Sequence, residues 1–380
     1  MAAVMIGIDP HKASHTAVAI SVAEEALGEL RVRASGGQAE RLLDWAAAWP
    51  ERTWAIEGAG GMGHLLAQQL LAQQLLAAGE RVLDVQPKLG ARVRLLAAGD
   101  TNKNDPNDAR SVAVAALRSA SRREARADDH VTVLKVWSRR HRDLGRMRTQ
   151  VACRLHAVLC ELIPGGASRR ITAGQAAHLL EAITPSDAVE AARCELAADF
   201  AEDLRQIDIR MHETRKKVTA AVQAAGTTVT EVFGVGPVIA ATLIGGAGDV
   251  CRFASRDHFA AYNGTAPIEV SSGQRKIYRL SRRGNRRLNH AIHMAAVSQV
   301  SHRHSTGRAY YDRKLAEGKT PKEALRALKR RISDAVFARL QADARRAGQS
   351  PGGQQGNDSG ASAAGSHPRH RLFGKATPGP

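Results

Sequence analysis

The chain opens on apolar runs of strand length. Val4-Met5-Ile6-Gly7-Ile8 is apolar at successive positions and stops at Asp9, followed by Pro10-His11-Lys12. Such a run reads as a strand buried on both faces. His15-Thr16-Ala17-Val18-Ala19-Ile20 follows closely enough to return beside it as a hairpin. Leu42, Leu43, Trp45 and Trp49 then recur at helical spacing from Gln38 until Pro50 stops the pattern. Thr53-Trp54-Ala55-Ile56 forms another strand-like run ending in Glu57. A glycine turn over 58–63, a helix over 64–78 and a strand at Arg81-Val82-Leu83-Asp84-Val85 complete the series. This strand–helix alternation over residues 1–120 predicts an α/β sheet with helices on its faces.

Within the 64–78 helix, Leu-Leu-Ala-Gln-Gln at 65–69 recurs at 70–74. Five residues turn a helix by about 500°, so whatever follows is rotated by ~140° and the apolar face cannot continue unbroken. Asn104-Asp105-Pro106-Asn107-Asp108-Ala109 reads as a helix start. Asp105 is placed as its N-cap, Pro106 at the first helical position and Asp108 in the first turn, with Asp100 a nearby competitor.

The period changes after about residue 121. Leu144, Met147, Val151, Leu155, Val158 and Leu162 are spaced by threes and fours and end before Pro164-Gly165-Gly166. A second series runs through Leu196, Phe200, Leu204, Ile207, Met211, Val218 and Val222. Two long amphipathic helices joined by a looser segment predict an antiparallel coiled-coil arm over 121–225. Its polar face carries Arg139, Arg140, Arg142, Arg146 and Arg148, a pattern that suits either solvent or a phosphate backbone. Residues 226–345 read as a small, mainly helical domain opening on Val-Phe-Gly-Val-Gly-Pro. There Gly234 and Gly236 expose backbone N–H groups that can hold a DNA phosphate in the helix-hairpin-helix manner, or simply allow tight packing. The stretch from 346 to 380 is rich in Gly, Ser, Pro and His and is expected to be a disordered tail.

Composition sharpens this picture at one point. Apolar content of 43% and charged content of 24% are ordinary for a soluble protein of two or three domains, but a formal charge of +18 is not. It calls for a polyanionic partner, nucleic acid before membrane. With aromatics at 4%, contacts from Arg and Lys to phosphate suit the partner better than base stacking. Cysteines at 153, 160, 194 and 251 form no CxxC pair. Cys153 and Cys160 share a helix face and are expected to be buried by packing. His302 and His304 lack partners at metal-ligand spacing. No signal segment and no apolar stretch near the ~20 residues of a membrane span is legible, so an intracellular, cytoplasmic location is expected.

The candidate chemistry starts from Asp9, Glu57, Asp105 and Asp108, carboxylates on separate elements that can meet at one sheet edge. Clustered acids repel and want a cation. Oxygen ligands suit Mg²⁺, and ions held there can stabilise both oxygens of a phosphodiester displacement. Ser272, in a Ser-Gly turn, precedes Arg275, Lys276, Arg279, Arg282, Arg283, Arg286 and Arg287 with no acid between them. Those cations can hold a scissile phosphate for attack by the serine, although the same turn can be only a turn. Gly58-Ala59-Gly60-Gly61-Met62-Gly63 fits a dinucleotide-binding loop, with Asp84 about 20 residues on. That reading puts Glu57 where a pyrophosphate would approach and leaves the basic half unexplained. A sugar-kinase or actin-like layout also opens on a strand ending in Asp, but Pro10-His11-Lys12 supplies no phosphate loop.

Asp9 in Ile-Gly-Ile-Asp, Glu57 after its strand, the Lys103–Ala109 run and Pro267 followed by Ser272-Gly273 together resemble the DEDD-type insertion-sequence transposases related to pilin-gene invertases. The resemblance spans about residues 4–340. It implies a RuvC-like ribonuclease-H-type domain (1–120), a coiled-coil arm (121–225) and a helical transposase domain (226–345). It further implies Mg²⁺ on Asp9, Glu57, Asp105 and Asp108, and Ser272 as a nucleophile joined covalently to DNA. Expected partners are element-end and target DNA, a structured guide RNA, and further copies of the chain as a dimer or tetramer, nucleoid-associated in a bacterium. Asn104 stands where many relatives have Ser or Thr, and the repeated Leu-Leu-Ala-Gln-Gln is a larger departure. The expected function is a Mg²⁺-dependent DNA recombinase moving its own element. A structure-selective nuclease using the carboxylates alone, or a non-catalytic nucleic-acid-binding protein, are the alternatives.

Overall fold

The computed structural model describes residues 4–74, 81–96, 104–119, 123–168, 170–272, 275–280 and 284–349. The first strand, β1 (Val4–Pro10), is buried at every position, as its unbroken apolar run requires. β2 (Ser14–Ile20) returns antiparallel to it, and β3 (Ala26–Arg33) pairs antiparallel with β2. Helix α1 (Gln38–Ala46) leads to β4 (Arg52–Glu57), then come α2 (His64–Gln74), β5 (Arg81–Val85), α3 (Pro87–Leu96) and α4 (Asp105–Arg118). The sheet order is β3-β2-β1-β4-β5, with β4 parallel to β1 and β5 parallel to β4. Two antiparallel strands beside a parallel set in that order form the ribonuclease-H-like, RuvC-like arrangement that the family resemblance implies.

Alternation along the strands builds two cores. Ile6, Ile8, Ala17, Ala19, Val32, Trp54 and Ile56 face Leu42 of α1 and Leu66 and Leu70 of α2. Met5, Val18, Ile20, Ala55, Leu83 and Val85 face Ala109, Val112, Ala113 and Ala116 of α4. Gly7 lies under α4, where a Cβ would stand 2.1 Å from the Ala109 carbonyl oxygen and 2.6 Å from the Ala113 nitrogen. Only a residue without a side chain lets the helix settle that close to the strand.

Several local expectations are corrected. Asp105 is not the N-cap of α4; Asn104 is, its side-chain oxygen accepting from the Asn107 N–H at 2.8 Å. Asn caps as well as Asp, and its doing so leaves the Asp105 carboxylate free of the helix end. α1 stops at Ala46, and Trp49 lies in the turn beyond, its ring edge-on to Trp45 at 5.0 Å. In the doubled segment Leu65 is 64% exposed whereas Leu70, its counterpart in the second copy, is 1% exposed. The rotation between copies therefore places equivalent residues on opposite faces. The end of the expected 64–78 helix and Asp100 lie outside the described residues.

Helix α5 (His130–Leu162) and α7 (Ala188–Ala224) run antiparallel, with α6 (Ala173–Glu181) between them in sequence. Arg148 binds Asp208 and Arg193 binds Glu161, which fixes the direction. Leu155, Val158, Leu159, Ala197, Ala201 and Leu204 form their shared core. Cys153 and Cys160 are both exposed, contrary to the expectation of burial. They share a face, but it is the one turned away from that leucine stripe.

The remaining helices are α8 (Pro237–Ala247), α9 (Arg256–Asn263), α10 (Arg286–Ser301), α11 (Thr306–Ala316) and α12 (Pro321–Gln349). Between α9 and α10 stand two antiparallel strands, β6 (Pro267–Ser272) and β7 (Arg275–Leu280). α12 carries the helical region to Gln349, past the expected tail boundary at 346, because Leu340 and Ala344 still pack on the core. The rest of the expected tail lies outside the described residues. The two-stranded ribbon is tied down at its root. Buried Asn263 donates to Ser333 Oγ at 2.8 Å and accepts from Thr265, while the Asn285 N–H donates to the Tyr262 carbonyl at 2.6 Å.

Asp343 on α12 accepts hydrogen bonds from the Thr227 hydroxyl (2.6 Å) and from the Thr228 hydroxyl (2.6 Å) and N–H (3.0 Å). Burial works to raise its pKa, but the Thr227, Thr228 and Arg346 contacts outweigh it and hold the carboxyl below its ordinary value. A depressed carboxyl contributes stability above its unfolded pKa of about 4 and loses it as pH falls through the folded value. Asp343→Ala is expected to cost about 1–3 kcal/mol at neutral pH. The gap in melting temperature between variant and wild type should close below about pH 4; a gap that stays constant with pH contradicts this role.

Candidate metal and nucleic-acid site

Asp9 closes β1 on the face covered by α4. The strand register sets it opposite Thr16, and Thr16 opposite Arg31, so these three stand in one row across β1, β2 and β3. On the other side Ile8 pairs in parallel with Ile56, which brings Glu57 in step beside Asp9. The close fit at Gly7 then lowers the first turn of α4 over this edge. His11 in the following turn has its Nε2 3.0 Å from Asp9 Oδ2 and 3.4 Å from Asp105 Oδ1. Arg31 reaches Asp105 at 3.6 Å, and Arg94 of α3 forms an ion pair with Asp108.

The structure thus brings Asp9, Glu57 and Asp105 to one edge. Asp108 shares the helix mouth with Asp105 but is engaged by Arg94. The electrostatics are those of crowded acids: the Asp9 side chain is only 8% exposed. Burial raises the pKa of Glu57, and the negative charge of Asp9 and a hydrogen bond with it raise it further, against weaker opposing pulls from Arg94 and His11. The Thr16 hydroxyl, in the same row, is buried with no hydrogen-bond partner among the described residues. Hard oxygen donors beside an unsatisfied buried hydroxyl fit a hydrated divalent cation, whose waters would supply the missing partner. The residues sequence reasoning missed are His11, Thr16, Arg31 and Arg94. His11 carried a usable signal, two residues beyond Asp9 in a tight turn; Arg31 and Thr16 need the strand register.

The dinucleotide-loop reading would need Asp84 free for a ribose. Asp84 is ion-paired with Arg123 at 3.2 Å, and Glu57 holds the mouth of the turn.

Ser272 occupies the last position of β6, opposite Arg275 of β7 where the ribbon turns. Lys276 pairs with Ser271 and Arg279 with Ile268. The ribbon stands on the C-terminal helical core, whereas the carboxylates stand on the N-terminal sheet. Arg282 and Arg283 lie outside the described residues. Arg286 and Arg287 are exposed in the first turn of α10, capped by Asn285. Cations are disfavoured at a helix N-terminus, where anions are welcome. Arg142 of α5 is crowded by Arg287, Arg139 and Arg146; burial first, then their charge, lowers its pKa, and Asp143 opposes them only in part. Its Nε is buried without a partner among the described residues. Four arginines set against the single carboxylate of Asp143 form a seam suited to phosphate. Gly234 has φ +82°, and a Cβ there would stand 2.7 Å from the Ala295 carbonyl oxygen, so packing on α10 alone accounts for it. Gly236 is the N-cap of α8, which leaves the first N–H groups of that helix open to an anion.

Two family models match the chain: a DEDD transposase model of the IS110 type over residues 6–164, and the transposase IS116/IS110/IS902 family model over residues 226–312. The insertion element IS116 uncharacterized 44.8 kDa protein of Streptomyces clavuligerus is 26% identical over 89% of this chain and 94% of its own length. The insertion element IS900 uncharacterized 42 kDa protein of Mycobacterium paratuberculosis is 26% identical over 89% of this chain and 95% of its own. A solved structure of T. thermophilus RuvC in complex with Holliday junction substrate matches 32% of this chain and 99% of that one, at 17% identity and a TM-score of 0.26. None of the described helices is long and apolar enough to cross a membrane. Matched by one transposase model in each half, and by insertion-element relatives along nearly their whole length, this chain is a DNA transposase similar to the IS110/IS116/IS902 family.

Proposed function

We propose that this transposase cuts and rejoins DNA with two sets of groups: the carboxylates of the N-terminal sheet and Ser272 at the turn of the β6–β7 ribbon. The observation that carries the reading is the meeting of Asp9, Glu57 and Asp105 beneath α4, with Glu57 raised by burial and by Asp9. Asp9, Glu57 and Asp105 would hold Mg²⁺, and Asp108 would join them on leaving Arg94. A divalent cation so held supplies Lewis-acid stabilisation of the phosphate oxygens. Arg94, freed from Asp108, and Arg31, two-thirds exposed, are placed to meet the phosphate itself.

In the serine step the Ser272 oxygen bonds to phosphorus and the bond from phosphorus to a sugar oxygen breaks. The serine loses its proton and the departing sugar oxygen gains one. The phosphoserine ester keeps the bond energy, so a hydroxyl of another strand can reverse the step without an external energy source. Arg275, Lys276 and Arg279 on the facing strand, and Arg286 and Arg287 beyond it, would neutralise the phosphate. Gly236 and the Arg142–Arg287 seam would seat the backbone on either side.

The sheet domain (1–120), the helix pair as a coiled-coil arm (121–225) and the helical domain (226–345) serve these tasks in turn. Because the serine and the carboxylates stand on different cores, assembly of two or four copies offers a way for one subunit's acids to serve another's serine. A structured guide RNA, which the family resemblance implies, would be a second polyanionic partner for this chain. The alternative with support of its own is a nuclease that uses only the carboxylates, since that cluster is complete without the ribbon.

A DNA substrate nicked beside the cleavage site, so that the broken strand diffuses away, separates the two. Wild type with Mg²⁺ should accumulate a protein–DNA adduct that survives denaturation, and Ser272→Ala should lose both adduct and strand transfer by at least about 10³-fold. Cleavage by Ser272→Ala at the wild-type rate, without adduct, establishes the nuclease instead.

The carboxylate site has its own test in stability. A carboxyl raised in the folded state gives stability that is present below its unfolded pKa and lost as pH rises through the folded value. Ionised Glu57 therefore costs the metal-free protein stability near neutral pH. Metal-free Glu57→Gln should melt about 2–4 °C above wild type at pH 7.5, while losing the rise that Mg²⁺ gives wild type. A lower melting temperature, or an unchanged response to Mg²⁺, contradicts the assignment.

A further inference from the structure

His11 lies outside the acidic set, yet it touches two of its members, Asp9 and Asp105. The turn from β1 to β2 fixes it: its backbone N–H donates to the Ser14 carbonyl at 2.9 Å, so the ring is carried by a closed hairpin. Its Nε2 lies 3.0 Å from Asp9 Oδ2 and 3.4 Å from Asp105 Oδ1, and one ligand atom from each of the three residues falls within 4.8 Å of the others. Adjacent ligands around an octahedral ion with bonds of ~2.1 Å are separated by ~3.0 Å, and opposite ones by ~4.2 Å. The two distances from His11 are thus close to the spacing of adjacent ligands. The ring is half exposed, which leaves room beside it for an ion and its waters. Beside it, the Thr16 hydroxyl, on a residue 1% exposed, has no partner among the described residues, which marks a missing polar neighbour in the same row.

We infer that His11 Nε2 is a direct metal ligand, completing a mixed nitrogen and oxygen site with Asp9 and Asp105 that takes Mn²⁺ in preference to Mg²⁺. Carboxylates and water serve both ions, but an imidazole donor favours the transition metal. The same atom stands between Asp9 and Asp105, within reach of both carboxylates. This inference rests on the carboxylate site proposed above and adds to it a ligand and a selectivity.

The test uses full-length, untagged protein with Mn²⁺ as the probe. Calorimetric titration gives the affinities for Mn²⁺ and Mg²⁺, and pulsed electron paramagnetic resonance of bound Mn²⁺ reads nitrogen coupling from a coordinated imidazole. Wild type should show ¹⁴N modulation that His11→Ala abolishes. His11→Ala should also weaken Mn²⁺ by about tenfold or more while changing Mg²⁺ less, so that the preference narrows. Mn²⁺ binding that depends on Asp9, shown by its loss in Asp9→Asn, but without nitrogen modulation or with modulation that persists in His11→Ala, overturns the assignment of His11 and leaves the carboxylate site standing. Wild-type protein that binds no Mn²⁺ and no Mg²⁺ at millimolar concentration removes both.

Discussion

The hydrogen that serves as a side chain at residue 7 sets the geometry of the candidate centre. A methyl group there would collide with the backbone of α4 at Ala109 and Ala113. Without one, the helix lies directly on β1, and its N-terminal turn falls over the strand's end. Asp9 and Asp105, nearly a hundred residues apart in sequence, are joined through His11 by that contact. The apolar side chains around it, Met5, Val18, Ala55 and Val112 among them, hold the helix in place. Each fully buried aliphatic contributes about 1.5–3 kcal/mol, so packing amply offsets the repulsion it imposes on the acids.

That repulsion is managed by nitrogen-bearing side chains drawn from elements that have no acid of their own in the cluster. His11 comes from the β1–β2 turn, Arg31 from the edge strand and Arg94 from α3. Each lies close enough to neutralise a carboxylate, and each would have to move or change its bond for the acids to take a metal ion. The C-terminal half shows the opposite imbalance. Arg142 faces Arg287, and Arg286 and Arg287 occupy a helix N-terminus that repels them. An excess of acid on one core and of base on the other is the distribution expected when metal and nucleic acid complete the assembly.

Much of this was legible from the sequence. The apolar run ending at Asp9, the run ending at Glu57 and the Pro106 helix start located three elements and the residues at their ends. β3 was not, because as an edge strand it alternates Glu29, Arg31 and Arg33 with few apolar residues and fully buries only Val32 among them. α3 was missed for a similar reason: Pro87–Leu96 mixes Lys88, Arg92 and Arg94 with its leucines. Those two elements carry Arg31 and Arg94, so the counter-charges were lost along with the segments that bear them. The N-cap was misplaced by one residue because Asn104 and Asp105 are equally competent caps, and only the backbone decides between them. The cysteine expectation failed because shared helical phase says that two residues face alike, not which way they face.

The central claim is spatial: acids from β1, β4 and α4 surround a single ion. Crystals of the full-length protein grown with Mn²⁺ and measured for anomalous scattering test it directly. The account predicts a peak bounded by Asp9, Glu57 and Asp105, within about 2.2 Å of their oxygens. A bound Mn²⁺ ordered elsewhere, with no density between Asp9, Glu57 and Asp105, would contradict it.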